Sequence, residues 1–129
     1  MNSRPEKSIQ VNTPADQESF RQELEALYRS YTLSLPVKLD GIRDIAGLLP
    51  GEHDTGAVLR ELVAAVHKVA GSAGTYGCPD VSSAARDCEI LINGWLDAGT
   101  DPATRERTEL EKALDRLAQA VDHAVASAD

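Results

Sequence analysis

Apolar side chains recur at the spacing of an α-helix through almost the whole chain after its first dozen residues. One such run comprises Leu59, Leu62, Val63, Val66 and Ala70. Residues spaced in this way share one face of a helix, because the α-helix repeats every 3.6 residues. Val, Ile and Thr nowhere form the alternating run that marks a half-buried strand. The pattern therefore predicts an all-α protein.

Prolines, glycines and capping residues divide this chain into five predicted helices. The first begins near Thr13, and Pro36 is expected to break or kink it, since proline lacks a backbone N–H and its ring clashes with the preceding turn. The second helix is predicted to end at Pro50-Gly51, and the third to begin near Asp54 and end within residues 74–77. Pro79 begins the fourth predicted helix, and Asp101-Pro102 begins the fifth. Short connections between helices favour packing in opposite directions. The predicted fold is an antiparallel four-helix bundle with an additional N-terminal helix laid across one end.

The charge balance and the absence of long apolar runs limit the function classes. The 129 residues contain 13 Lys and Arg against 21 Asp and Glu, a formal net charge of −8. Such an excess of acid disfavours nucleic acid as a partner, because that binding depends on neutralising phosphates. No apolar run approaches the ~18–20 residues of a membrane span, and the start has no apolar signal-peptide segment. Two cysteines make no disulfide framework, so we expect a reducing cytoplasm as the compartment. We also expect the protein to be a monomer.

Residues 1–13 are polar and show no periodicity, so they are predicted to be a flexible tail. Residues 14–129 are predicted to form one helical domain, which is the size expected for a chain of this length.

His67 has an unusual set of neighbours on the third predicted helix. At 100° per residue it lies about a quarter turn from the centre of the apolar stripe. The row of side chains that runs along the helix through His67, here called its ridge, also contains Arg60, Ala64, Gly71 and Gly74. Apart from Arg60, these residues carry little bulk. A glycine inside a helix costs about 1 kcal/mol relative to alanine. The two glycines therefore suggest that a protein surface or a phosphoryl group must approach the imidazole closely.

Other interpretations of these residues are weaker. A lone histidine on a helix flank is more often a half-buried structural residue. The glycines at 71, 74 and 77 follow no strand and precede no Lys-Ser or Lys-Thr pair, which argues against a nucleotide-binding loop. The His and Cys residues lack zinc spacing, and the inward Glu and Glu-x-x-His ligands of metal-binding bundles are missing. We therefore expect no metal or cofactor, and we expect His53 and His123 to be surface residues.

The segment HKVAGSAGTYG, residues 67–77, resembles the signature of histidine-containing phosphotransfer (HPt) domains. That signature has a phosphorylated His, an aliphatic residue two positions on, a Gly four positions on, a small Ser/Ala pair and a Gly ten positions on. The matching positions here are His67, Val69, Gly71, Ser72-Ala73 and Gly77. The resemblance extends back to residues 31–39 and forward to residues 82–92, and it covers roughly residues 18–96 in all.

The resemblance implies that His67 is the phosphoacceptor and that its neighbours contact a receiver domain. The candidate docking and phosphoryl-site residues are Arg60, Ala64, Lys68, Gly71, Ser72 and Gly74. Arg86 joins them if the rotation of its helix places it beside His67. Ala70 departs from many members of the family, which carry there a Lys that steadies the phosphoryl group. On the helical wheel Lys68 points away from His67, so we expect it at the docking surface or in solvent.

The function that this resemblance implies is that of a phosphoryl carrier in a bacterial two-component phosphorelay, not an enzyme with a nucleotide site. The imidazole would accept a phosphoryl group from the phosphoaspartate of a receiver and pass it to another receiver. The expected partners are response-regulator receiver domains, a hybrid histidine kinase, or both, with Mg²⁺ on the receiver. The alternative is a non-catalytic helical adaptor that binds receivers or kinases without phosphorylation, and the presence of His67 favours the carrier.

Overall fold

Four α-helices make up the computed structural model, which describes residues 13–49, 51 and 54–128. They are α1 (Pro14–Ala46), α2 (Thr55–Thr75), α3 (Pro79–Ala98) and α4 (Thr104–Ala128). Within those described ranges no strand occurs, so the all-α prediction is confirmed. Contacts join α1 to α2, α2 to α3, α3 to α4 and α4 to α1. The helices thus surround a single core of aliphatic side chains.

α1 is one continuous helix where the sequence predicted two. It passes through Pro36, so the expected additional N-terminal helix is the first half of α1. Leu35 before the proline and Ile42 after it are buried in the same core. The helix must stay in register across Pro36 for both to reach that core, and the proline itself is exposed. Packing of the shared face therefore outweighs the local cost of the missing backbone N–H.

The apolar residues in the first half of α1 lie outside the core. Phe20 is 56% exposed and Leu27 is 51% exposed, although their helical spacing places them on one face with Tyr31, which packs against the core. The reason is the position of α4. Nε of Arg29 donates a hydrogen bond to the carbonyl oxygen of Ala128, the last residue of that helix. The part of α1 that precedes Arg29 extends past this end of α4 and has less to pack against.

α1 and α2 start at the capping residues that the sequence predicted, whereas α4 starts at Thr104, two residues after the predicted Asp101-Pro102 start. There the Glu106 carboxylate accepts a hydrogen bond from the backbone N–H of Ala103. The Thr13 hydroxyl accepts a hydrogen bond from the backbone N–H of Asp16, and the Asp54 carboxylate accepts one from Ala57. Thr13 thus caps α1, and the remainder of the predicted tail, residues 1–12, lies outside the described residues. No helix in the described part of the chain is long and apolar enough to cross a membrane.

A tight turn after α2 brings α2 and α3 side by side. Gly77 has a φ of 82°, a left-handed conformation that favours glycine. The backbone N–H of Cys78 then donates to the carbonyl oxygen of Ala73 at 2.8 Å, which closes the end of α2. Pro79 starts α3 immediately afterwards. This short connection sets which residues of α3 stand opposite His67.

Both cysteines are free and buried, at the start and in the middle of α3. Burial raises the pKa of the Cys88 thiol to about 11, so this side chain stays protonated at neutral pH. Cys88 therefore acts as a small apolar core residue.

Candidate functional site

His67 lies on α2 with its imidazole exposed at the edge that faces α3. Its side chain is 72% exposed, and its Nδ1 lies 2.6 Å from Oε2 of Glu89, which is 18% exposed. An ionised carboxylate only accepts hydrogen bonds, so Nδ1 donates its proton to Glu89. In a neutral imidazole that donates from Nδ1, the lone pair lies on Nε2. The pair therefore orients the ring and leaves Nε2 exposed and without a hydrogen-bond partner among the described residues.

Glu89 reaches His67 because of the way α3 packs. Its neighbour Cys88 is fully buried in the core, and one residue further along a helix turns the side chain by 100°. That rotation places Glu89 on the flank of α3 that faces α2. Glu89 lies within residues 82–92, to which the resemblance extended, but no role was predicted for it. Its only sequence signal was an acidic residue beside a predicted buried position.

The helices α2 and α3 approach each other closely just beyond His67. The hydroxyl of Ser82 on α3 donates to the carbonyl oxygen of Ala70 on α2 at 2.6 Å. A Cβ atom on Gly74 would stand 3.4 Å from that hydroxyl oxygen. Gly74 thus lies against α3, where a Cβ atom would make an ordinary van der Waals contact with Ser82.

Gly71 lies one helical turn after His67 and faces open space. A Cβ atom built there would meet no described atom within 4 Å. Ala64, three residues before His67, is also exposed. The ridge around the imidazole is therefore low and accessible, as the sequence predicted.

No described contact joins the other candidate residues on α2 to the imidazole, whose hydrogen-bond partner is Glu89. Arg60 precedes His67 by seven residues, about 10 Å along the helix axis, and its Nη1 would be 3.3 Å from a Cβ on Gly56, in the first turn. Lys68 is exposed. The Ser72 hydroxyl donates to the carbonyl oxygen of Lys68 and lies 2.6 Å from the hydroxyl of Tyr31. Ser72 thus faces α1, and the structure does not bring it to the histidine.

Arg86 lies on the side of α3 that faces α2. Its Nη2 donates a hydrogen bond of 3.1 Å to the hydroxyl of Ser82, which itself contacts Ala70. The rotation of α3, on which the assignment of Arg86 depended, therefore brings this guanidinium to the seam between the two helices.

The site is an open surface and not a cavity. A cavity of about 610 Å³ lies elsewhere and is lined by residues such as Tyr28, Tyr76 and His123. His123 is exposed on α4, whereas His53 lies outside the described residues. Across residues 13–49, 51 and 54–128, no three His, Cys, Asp or Glu side chains are grouped as metal ligands. An exposed imidazole on a flat helix pair is suited to a protein partner.

The comparisons with known proteins agree with this geometry. A family model described as Hpt domain matches residues 13–120, which include all of α1, α2 and α3 and most of α4. Neither a curated protein nor a solved structure matches the chain. The match spans both His67 and Glu89, and it confirms the resemblance that the sequence indicated. The chain belongs to the Hpt domain family.

Proposed function

We propose that this protein is a phosphoryl carrier that accepts a phosphoryl group on Nε2 of His67 from the phosphoaspartate of a receiver domain and passes it to a second receiver. The observation that carries the proposal is the contact between His67 and Glu89, which leaves Nε2 free on an exposed surface. Membership of the Hpt domain family indicates a phosphotransfer role in two-component signalling.

The transfer needs no proton to leave the nucleophile. The lone pair of Nε2 attacks phosphorus, the bond between phosphorus and the aspartate oxygen breaks, and the aspartate leaves as a carboxylate with that electron pair. The imidazole ring then carries a positive charge, and the hydrogen bond from Nδ1 to the Glu89 carboxylate stabilises it. Attack by the aspartate of the next receiver reverses these steps. We expect Mg²⁺ on the receiver, and neither a cofactor nor a nucleotide site on this chain.

The receiver is proposed to dock on α2 around His67, with Ala64 and Gly71 at the centre and Arg60 and Lys68 at the rim. Ala64 and Gly71 are exposed and lack bulky side chains. Transient partners of this kind bury about 1,200 Å² or less in total. The partners are response-regulator receiver domains or the receiver of a hybrid histidine kinase.

The bundle that presents the site is proposed to be antiparallel and to act as a monomer in the bacterial cytoplasm. Two contacts support opposite directions for α1 and α4: Arg29 reaches Ala128, and Arg43 pairs with Asp115 at 3.2 Å. Two free, buried cysteines are compatible with a reducing compartment.

The test of this proposal is transfer from purified receiver domains that have been phosphorylated with acetyl phosphate. A carrier becomes labelled, and the label is labile in acid and stable in base, as expected for phosphohistidine. The alternative, an adaptor, binds the receivers and remains unlabelled. Binding without any label, with receivers that do label other Hpt domains, would reject the proposal in favour of the adaptor.

Glu89 is expected to accelerate transfer by holding the ring and offsetting its positive charge. We predict that Glu89→Leu lowers the single-turnover transfer rate about tenfold, the loss that corresponds to one charge-assisted hydrogen bond of about 1.5 kcal/mol. Glu89→Gln should lose less, because its amide oxygen still accepts from Nδ1. Glu109→Gln, an exposed site on α4, is the control. Equal rates for Glu89→Leu and the wild type would show that the contact has no part in transfer.

Arg60 and Lys68 are expected to tune the rate of association and not the chemistry. Rim charges mainly affect encounter rates and their dependence on salt. Arg60→Ala and Lys68→Ala should therefore slow transfer at low ionic strength, and the deficit should shrink at high ionic strength because of screening. Transfer kinetics at two salt concentrations measure this, with Lys112→Ala on α4 as the control. Complete loss of labelling at every salt concentration would instead place that residue in the phosphoryl site.

A further inference from the structure

We propose that Arg86 binds the phosphoryl group on phosphorylated His67, reaching it from α3. This inference rests on the proposed function, since it concerns the state in which His67 carries phosphate. Arg86 would make the contact in that state and return to Ser82 after transfer.

The first support is the position of Arg86 relative to Glu89. The two residues are three positions apart on α3, and residues at that spacing lie side by side on a helix surface. Glu89 touches Nδ1 of His67 at 2.6 Å. Arg86 therefore lies on the flank of α3 from which the imidazole is already reached.

The second support is the contact that fixes the guanidinium in the unphosphorylated protein. Nη2 of Arg86 donates to the hydroxyl of Ser82, and that hydroxyl donates to the carbonyl oxygen of Ala70 on α2. Ala70 follows His67 by three residues, a rise of about 4.5 Å. The guanidinium is thus held at the seam between α2 and α3, within one helical turn of the level of the histidine.

The third support is that most of the hydrogen-bonding capacity of Arg86 is unused. The bond to Ser82 takes one of the five N–H donors of a guanidinium. Arg86 is exposed and forms no ion pair with any residue that the structure describes. A guanidinium matches the oxygens of a phosphoryl group with two parallel hydrogen bonds.

The fourth support is the charge that transfer creates. A phosphoryl group on Nε2 would bring negative charge to a ring whose other nitrogen is bonded to Glu89. A nearby cation offsets the resulting repulsion. A Cβ atom built on Gly71, one turn from His67, would meet nothing within 4 Å, so this side of the imidazole is unobstructed.

Other cations near this part of the bundle are directed elsewhere. Nη1 of Arg60 lies beside Gly56. Nζ of Lys38 donates to Ser34 and lies 5.2 Å from the centre of the Tyr31 ring, on α1. Lys68 is one residue past His67 and so points about 100° away from it around the helix.

The experiment measures the equilibrium constant of transfer, because that quantity separates phosphate binding from docking. A docking residue changes the forward and reverse rates by the same factor and leaves the equilibrium constant unchanged. A residue that contacts only the phosphorylated histidine changes the equilibrium constant itself. The constant is obtained from forward and reverse single-turnover rates with one receiver domain that labels His67.

We expect Arg86→Gln to shift the equilibrium toward the phosphorylated receiver about fivefold, the factor at the upper end for an exposed charge pair. Arg86→Lys keeps the charge and should recover part of that shift. Arg105→Gln, at an exposed site on α4, should leave the constant unchanged. An Arg86→Gln variant with the wild-type equilibrium constant would overturn the proposal. So would an Arg86→Lys variant whose equilibrium constant equals that of Arg86→Gln.

A receiver-independent control keeps this outcome separate from the proposed function. Phosphoramidate is a small donor that phosphorylates accessible histidines directly. If it and the receivers both fail to label the wild-type protein at His67, the proposed function fails. If the wild type is labelled and only the effect of Arg86 is missing, the proposed function stands and the role of Arg86 is rejected.

Discussion

Replacing His67 with Gln should reduce phosphoryl transfer from any cognate receiver to the background level. The amide of Gln has no nucleophilic nitrogen, so no covalent bond to phosphorus forms. The fold should persist, because the side chain is 72% exposed and Gln is a good helix former. The measurement is the acid-labile, base-stable label after incubation with a phosphorylated receiver, together with the helical circular dichroism signal of the variant.

His123→Gln is the matched control, since His123 is an exposed histidine on a helix that does not pack against α2. It should be labelled like the wild type. Labelling of His67→Gln to the wild-type level would assign the phosphate to another residue. Retained binding of His67→Gln to the receiver would show that docking and phosphate acceptance are separate properties of the surface.

The position of His67 on an accessible ridge of α2 was predictable from local sequence. His67, Ala64 and Gly71 lie on one helix, and their shared face depends only on the 3.6-residue repeat. The structure places Gly71 beside open space, in agreement with that geometry. Helix starts at Thr13 and Asp54 were likewise local, because a capping side chain bonds to a backbone N–H within its own turn.

The continuous helix through Pro36 was not predictable in this way. A local rule assigns a break to proline because of the lost N–H and the steric clash. Whether the helix continues depends on the core that Leu35 and Ile42 enter from either side. That benefit comes from α2 and α4, which contact α1 and are distant in sequence.

The partner of the imidazole was missed for a related reason. The contact between His67 and Glu89 requires the relative rotation and stagger of α2 and α3, which no single-helix projection contains. The same limitation applies to Gly74. A wheel places it on the ridge of His67, yet a Cβ there would contact Ser82 on α3. Single-helix geometry shows which residues share a face, and only the packed bundle shows what that face meets.

Gly71→Gln and Gly71→Leu should block transfer from receivers while leaving the helix intact or more stable. No described atom lies within 4 Å of a Cβ at this position, so either side chain fits without disturbing the bundle. Replacing a helical glycine should raise the free energy of unfolding by up to about 1 kcal/mol. The same long side chain, one turn from His67, would obstruct the face of an approaching receiver. The rate of transfer should fall to near background, and thermal unfolding should occur at an equal or higher temperature.

Two comparisons identify the cause of that block. Gly94→Gln, at a glycine of α3 that also has open space at its Cβ, should give a similar gain in helix stability and normal transfer. Phosphoramidate, which is far smaller than a receiver, should still label His67 in Gly71→Gln. Because the imidazole and Glu89 are unchanged in that variant, persistent labelling by the small donor would locate the obstruction at the docking surface. Normal transfer from receivers to Gly71→Gln would instead mean that this glycine lies outside the surface that the receiver covers.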